Sequence, residues 1–197
     1  MSIPNQCLTP GVEFLDPEDS YLQTYPSLVS FFQKELTEED LIVGVHAVYG
    51  WMPRIIKKIS MKNIPKVLLY IKELKNKTRS LDIMTLETIM SVTNNSVVGA
   101  SKLLHFIFPN RYPIWDSHVA ALVIEPNSPR DPKLQYLEYV LEMGSKIARE
   151  FIEIENLQDA IGDKIGYRVS KVRAVELLLF ITSKHLQNTG TNSITTK

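Results

Sequence analysis

Apolar residues in this chain recur at intervals of three and four, and no segment alternates with period two for long enough to make a strand. The pattern predicts an all-α protein of about eight to ten helices. Its most informative stretch is Ser96 to Val119, SVVGASKLLHFIFPNRYPIWDSHV. The small residues Val97, Val98, Gly99, Ala100 and Ser101 predict a turn, and Lys102 to Phe108 an apolar helix. Pro109 and Pro113 cannot continue that helix, so Tyr112 to Trp115 is expected to run extended. Asp116-Ser117 then predicts an N-cap for a helix from about His118, with the Asp116 carboxylate held by backbone N–H groups.

The remaining pattern supplies the other helices. Thr37-Glu38-Glu39-Asp40 is a capping box opening a helix to about Val48, and Tyr49 to Pro53 predicts a turn carrying two aromatics. Arg54 to Ile59 predicts a short basic helix. Asn63-Ile64-Pro65 starts another, with Val67, Leu68 and Ile71 inward. Lys75 to Ser80 is expected to be a loop and Leu81 to Val92 a helix, followed by a turn through Thr93-Asn94-Asn95-Ser96. After a loop from Glu125 to Arg130, Asp131-Pro132 starts a long helix whose core face would be Leu134, Leu137, Leu141, Ile147 and Phe151. Asn156 to Ile161 predicts a short helix. Ser170 opens the last one, with Val172, Val175, Leu178 and Leu179 inward. Four prolines (Pro4, Pro10, Pro17, Pro26) predict an extended arm over residues 1–30. That leaves one helical domain over 31–188, possible in two lobes, and a polar tail over 189–197.

Charge changes the picture where composition does not. A chain of 197 residues with 44% hydrophobic and 22% charged residues and a net charge of zero describes an ordinary globular protein. Residues 1–52 nevertheless carry eight acids against Lys34, whereas residues 54–79 carry nine bases, among them Arg54, Lys57, Lys58 and Lys62, against Glu73. The basic run could track phosphates, or it could be a solvated face paired with the acidic segment. No apolar run reaches membrane-spanning length, and the N-terminus lacks the pattern of a signal peptide. A single cysteine, Cys7, excludes an internal disulfide, fits a reducing intracellular compartment, and with four scattered histidines offers no metal site.

The stretch from about residue 84 to 123 resembles the core of the helix-hairpin-helix DNA glycosylases. Val97-Val98-Gly99 stands where their hairpin would be, Lys102 near their early helix lysine, and Pro113-Ile114-Trp115-Asp116-Ser117-His118-Val119 where an Asp caps the next helix. The chain has one glycine where the family has a pair. Lys102 lies one residue further past that glycine, and Asp116 follows fourteen positions later, about one helical turn sooner than usual.

The resemblance implies two helical lobes around a cleft that takes a base flipped out of duplex DNA. By that analogy Asp116 would stabilise positive charge on the sugar, and Lys102 would attack it to form a Schiff base with lyase chemistry. The backbone of Val97 to Ser101 would bind phosphate, with Arg54, Lys57, Lys58 and Lys62 adding affinity, and Trp51, Trp115 and His118 would line the base pocket. No cofactor is implied, and one cysteine excludes an iron–sulfur cluster. Plainer roles stay open: a snorkelling surface position for Lys102, a structural cap for Asp116, core positions for His105, His118 and the aromatics, and an Arg173–Glu176 pair. So do two other functions, a non-catalytic DNA-binding module and a protein-interaction domain.

Overall fold

The structure, a computed structural model, describes residues 1–4, 11–51, 54–125, 127–129 and 131–188; Cys7, Met52, Pro53, Pro126, Arg130 and the tail 189–197 lie outside them. The described residues are all-helical. Nine α-helices succeed one another: α1 Ser20–Phe32, α2 Glu38–Trp51, α3 Ile64–Lys75, α4 Ile83–Met90, α5 Val97–Ile107, α6 Ser117–Val123, α7 Pro132–Arg149, α8 Phe151–Ile165 and α9 Lys171–Asn188. A 3₁₀ turn, Met61–Asn63, precedes α3. The buried apolar side chains of all nine helices form one contiguous cluster.

The expected caps form. Asp40 N–H donates to Thr37 Oγ1 at 3.2 Å and Thr37 N–H to Asp40 Oδ2 at 3.1 Å, a capping box with Asp in the third position. Asp82, Ser96, Asp116 and Asp131 cap α4, α5, α6 and α7. Gly166, at φ +82°, ends α8 in the left-handed region that glycine adopts without strain.

Helix α8 spans Phe151–Ile165 where only a short helix over Asn156 to Ile161 is expected, and five further expectations need correction. Residues 20–32 are helix, not extended arm. Asp19 caps α1 by accepting the Tyr21 N–H at 2.9 Å, and Leu22, Tyr25 and Phe32 are buried. Pro26, inside α1, has no N–H for the Leu22 carbonyl, and the Tyr167 hydroxyl donates to that carbonyl instead at 2.7 Å. Helix α2 does not stop at Val48 but runs on through Tyr49 to Trp51, with Tyr49 buried and its hydroxyl donating to the Thr93 carbonyl at 2.7 Å. Residues 54–60 are not helical: the Asn94 side chain takes the N–H groups of Lys57 and Lys58, and the Ser91 carbonyl that of Ser60. Val97–Ser101 is the start of α5. The turn lies before it, where Asn94 (φ 56°) and Asn95 (φ 53°) are left-handed.

Finally, α7 is rotated from its expected face. Tyr136, Tyr139, Met143 and Lys146 are buried, whereas Leu141 is 72% exposed and Phe151, which opens α8, 51%. Tyr139 packs against Trp115 with ring centroids 5.2 Å apart, and two tyrosines bury more apolar area than the leucines they displace.

Candidate functional site

Helix α9 carries two charges into an apolar face. Arg173 and Glu176, one turn apart, are 3% and 1% exposed and bonded to each other through Arg173 Nη1 and Glu176 Oε2. A buried pair of this kind costs desolvation that an apolar pair would avoid. The Arg173 guanidinium lies over the Tyr25 ring at 4.7 Å, and among the described residues its Nε has no hydrogen-bond partner.

Lys102, one turn into α5, reaches the same place. It is 7% exposed, which excludes the snorkelling surface role, and its ammonium sits 5.4 Å from the centre of the Trp51 ring. Burial lowers its pKa below the usual lysine range, while the negative charges of Asp116 and Glu176 pull it back up. Asp116 ends the extended link after Tyr112. Its Oδ1 accepts the N–H groups of His118 and Val119, both at 3.0 Å, so the capping role is met. The link is pinned in turn by Ser101, whose Oγ accepts the Trp115 N–H at 3.0 Å while its own proton goes to the Val98 carbonyl at 2.9 Å.

Lys102, Asp116, Arg173 and Glu176 line one narrow cleft together with Trp51 and Ile114. The start of α1 roofs it with Asp19, Tyr21 and Leu22; the Tyr21 ring rests on Trp51 at 4.5 Å, and Trp51 Nε1 donates to the Tyr21 carbonyl at 3.3 Å. The free space is about 20 Å³, room for a water molecule and not for a nucleobase. Burial pushes Glu176 up to about 7; the neighbouring Arg173 opposes this, and Asp116 adds to it. Behind the cleft, His105 is fully buried, and burial holds its pKa down at about 3. Its Nδ1 is 2.7 Å from the Tyr112 carbonyl, which can only accept, so Nδ1 carries the proton and Nε2 accepts from the Tyr25 hydroxyl at 2.8 Å.

The other expected pocket residues fall elsewhere. Trp115 is a core aromatic against Tyr139, and His118 packs edge-on against Phe180; neither lines the cleft. Gly99 is buried, with no room for a side chain: a Cβ there would lie 2.5 Å from the Tyr49 hydroxyl. Ala100 and Ser101 are buried too, and the N–H groups of Gly99 and Ala100 are taken by Ser96 Oγ and Ser96 O. Val97 and Val98 are left as the first-turn donors of α5.

A second feature gathers at that turn. Asn94 Oδ1 accepts the backbone N–H groups of Lys57 and Lys58, both at 2.8 Å, and Asn94 Nδ2 donates to the Ile55 carbonyl at 3.2 Å. Ser60 N–H donates to the Ser91 carbonyl at 3.0 Å. The segment thus takes its hydrogen bonds from the α4–α5 turn, and Arg54, Lys57, Lys58, Asn94 and Ser96 line one open hollow. The rest of the basic run is dispersed. Lys62 is exposed in the 3₁₀ turn, Arg79 pairs with Glu73 at 2.5 Å, and Lys72 and Lys75 line a different groove with Arg111. The acidic N-terminal segment meets it where Lys72 and Glu35 approach to 3.7 Å.

Sequence reasoning missed the roof, the Asn94 staple and the place of Glu176 in the cleft. The last had a signal, two charges three apart inside the apolar run VRAVELLLF. Comparison with protein-family models, with curated protein sequences and with solved structures finds no match to this chain.

Proposed function

We propose that the chain is a DNA base-excision enzyme of the helix-hairpin-helix glycosylase kind, with α4, the Thr93–Ser96 turn and α5 as its hairpin unit. The observation that carries this is the meeting of Lys102 and Asp116, fourteen positions apart in sequence, on one buried cleft in which the lysine is desolvated. In this reading Lys102, as the free amine, is the nucleophile toward the sugar C1′, and Asp116 stabilises the charge that develops as the base leaves. Arg54, Lys57, Lys58 and the Val97 and Val98 N–H groups hold phosphates of the same strand. Trp51 is the aromatic against which a flipped base stacks. In this reading the cleft, lined from α1, α2, α5 and α9, is where the nucleotide enters, and the first turn of α1 lifts to admit it.

The small size of the resting cleft favours one competitor, a hairpin scaffold that binds DNA without cutting it. Duplexes carrying oxidised, deaminated or alkylated bases separate the two. Base release, with a borohydride-trapped complex that disappears in Lys102→Ala, supports the enzyme. Salt-dependent binding with neither release nor trapping supports the binding module. Absence of DNA binding at low salt refutes both and leaves a protein-interaction domain.

A further inference from the structure

We propose that Glu176 is the proton carrier for Lys102, taking the ammonium proton as the amine attacks and returning it to the oxygen that leaves. The proposal rests on the base-excision reading and adds to it a residue from the last helix.

The placement of Glu176 argues for this. It is 1% exposed, lines the same cleft as Lys102, and each of the two feels the other's charge. Arg173 holds Oε2 and fixes the carboxylate, and among the described residues no hydrogen bond engages Oε1. The cleft that both side chains line has room for a water molecule, which can bridge an amine and a carboxylate. Asp116 is less free, since its Oδ1 is committed to two N–H groups of α6. The charged and titratable groups facing Glu176 are Arg173 on its own helix, Asp116 before α6, Lys102 on α5, Tyr139 on α7 and Tyr25 on α1. Burial moves Lys102 down and Glu176 up, so their proton affinities converge.

With the ring-opened aldehyde of an abasic site, the balance is as follows. The Lys102 ammonium gives one proton through water to the Glu176 carboxylate, and the nitrogen lone pair attacks C1′ while the carbonyl π pair moves to oxygen. A second nitrogen proton shifts to that oxygen, giving a carbinolamine. The Glu176 carboxyl then protonates the hydroxyl, the C–O bond breaks, water leaves, and the nitrogen lone pair closes the C=N bond of a protonated Schiff base.

The test is borohydride trapping of the full chain on an abasic-site duplex from pH 5 to 9, in the wild type, Glu176→Gln and Glu176→Asp. Duplex affinity and thermal midpoint are measured alongside. Proton transfer of this type is worth about 100-fold or more. Glu176→Gln should therefore trap about 100-fold more slowly at pH 7, with affinity unchanged and the titration near pH 7 gone, and Glu176→Asp should recover part of the rate. A purely electrostatic role has the opposite sign. Losing the negative charge would lower the Lys102 pKa further, raise the neutral amine and speed trapping. Equal or faster trapping in Glu176→Gln overturns the proposal and leaves the base-excision reading standing. No trapping in the wild type overturns both. If Glu176→Gln does not fold, Glu176→Asp decides: an unchanged rate and pH profile overturns the proposal, and a slower rate with a displaced titration supports it.

Discussion

Replacing Asn94 separates the two jobs that one side chain performs. In Asn94→Gly the backbone keeps its left-handed dihedral at no steric cost, but the bonds to Lys57 N–H, Lys58 N–H and the Ile55 carbonyl are lost. At about 0.5 kcal/mol each for exposed bonds, the segment loses on the order of 1.5 kcal/mol. Since 1.4 kcal/mol is a factor of ten, the Lys57 and Lys58 amides should exchange with solvent about tenfold faster. Asn94→Ala loses the same bonds and also strains φ 56°, so it should cost about 1 kcal/mol more than the glycine variant in denaturant unfolding. On the base-excision reading, the same staple also serves DNA binding. With Arg54, Lys57 and Lys58 released from the turn, DNA affinity should fall and the slope of log K against log salt should flatten by up to about 3. Unchanged exchange at Lys57 and Lys58 in Asn94→Gly would refute the staple, and equal stability of the Gly and Ala variants would refute the left-handed requirement.

Three further expectations follow from the packing and the buried charges. Gly99→Ala drives a methyl onto the Tyr49 hydroxyl and should cost about 1–3 kcal/mol; in a Tyr49→Phe background the penalty should shrink by half or more, and an additive pair of effects would contradict the contact. His105 and Glu176 should oppose each other in the pH dependence of stability. The depressed His105 pKa, about 3 against an ordinary 6.5, gives stability that is present above pH 6.5 and lost on acidification; the raised Glu176 pKa, about 7 against 4.5, gives stability that is present below pH 4.5 and lost as pH rises through 7. The wild-type melting temperature should thus be nearly flat from pH 4.5 to 6.5, and that of Glu176→Gln should climb with pH there; parallel profiles would refute the assignment. Tyr21→Ala, which removes the ring resting on Trp51, should raise the modification rate of Lys102 by a small amine-directed reagent about tenfold, and an unchanged rate would show that the roof is no barrier.

The parts legible in the sequence were those governed by neighbours along the chain. The caps at Thr37, Asp116, Asp131 and Ser170 depend on residues two or three positions away, and all form. Lys102 and Asp116 stood out because a charge and a cap interrupt apolar sequence, and both line the cleft. What escaped depends on distant partners. Residues 54–60 carry helix-compatible sequence, yet Asn94, some 36 positions away, outbids the helix for the N–H groups of Lys57 and Lys58. Pro26 should end a helix, but Tyr167 supplies the missing donor from α8's far side. The face of α7 turned on the partner of Tyr139, a tryptophan on another segment, and no leucine count along α7 could reveal it.

The closed roof over Lys102 has a chemical consequence. Burial that lowers the Lys102 pKa favours its neutral amine, the form that small electrophiles modify. Tyr21, Leu22 and Trp51 leave space for water alone, so such reagents are sieved out by size. On the base-excision reading, reactivity of the amine would be tied to a ligand that displaces the first turn of α1, and selectivity would be exercised before any bond is made.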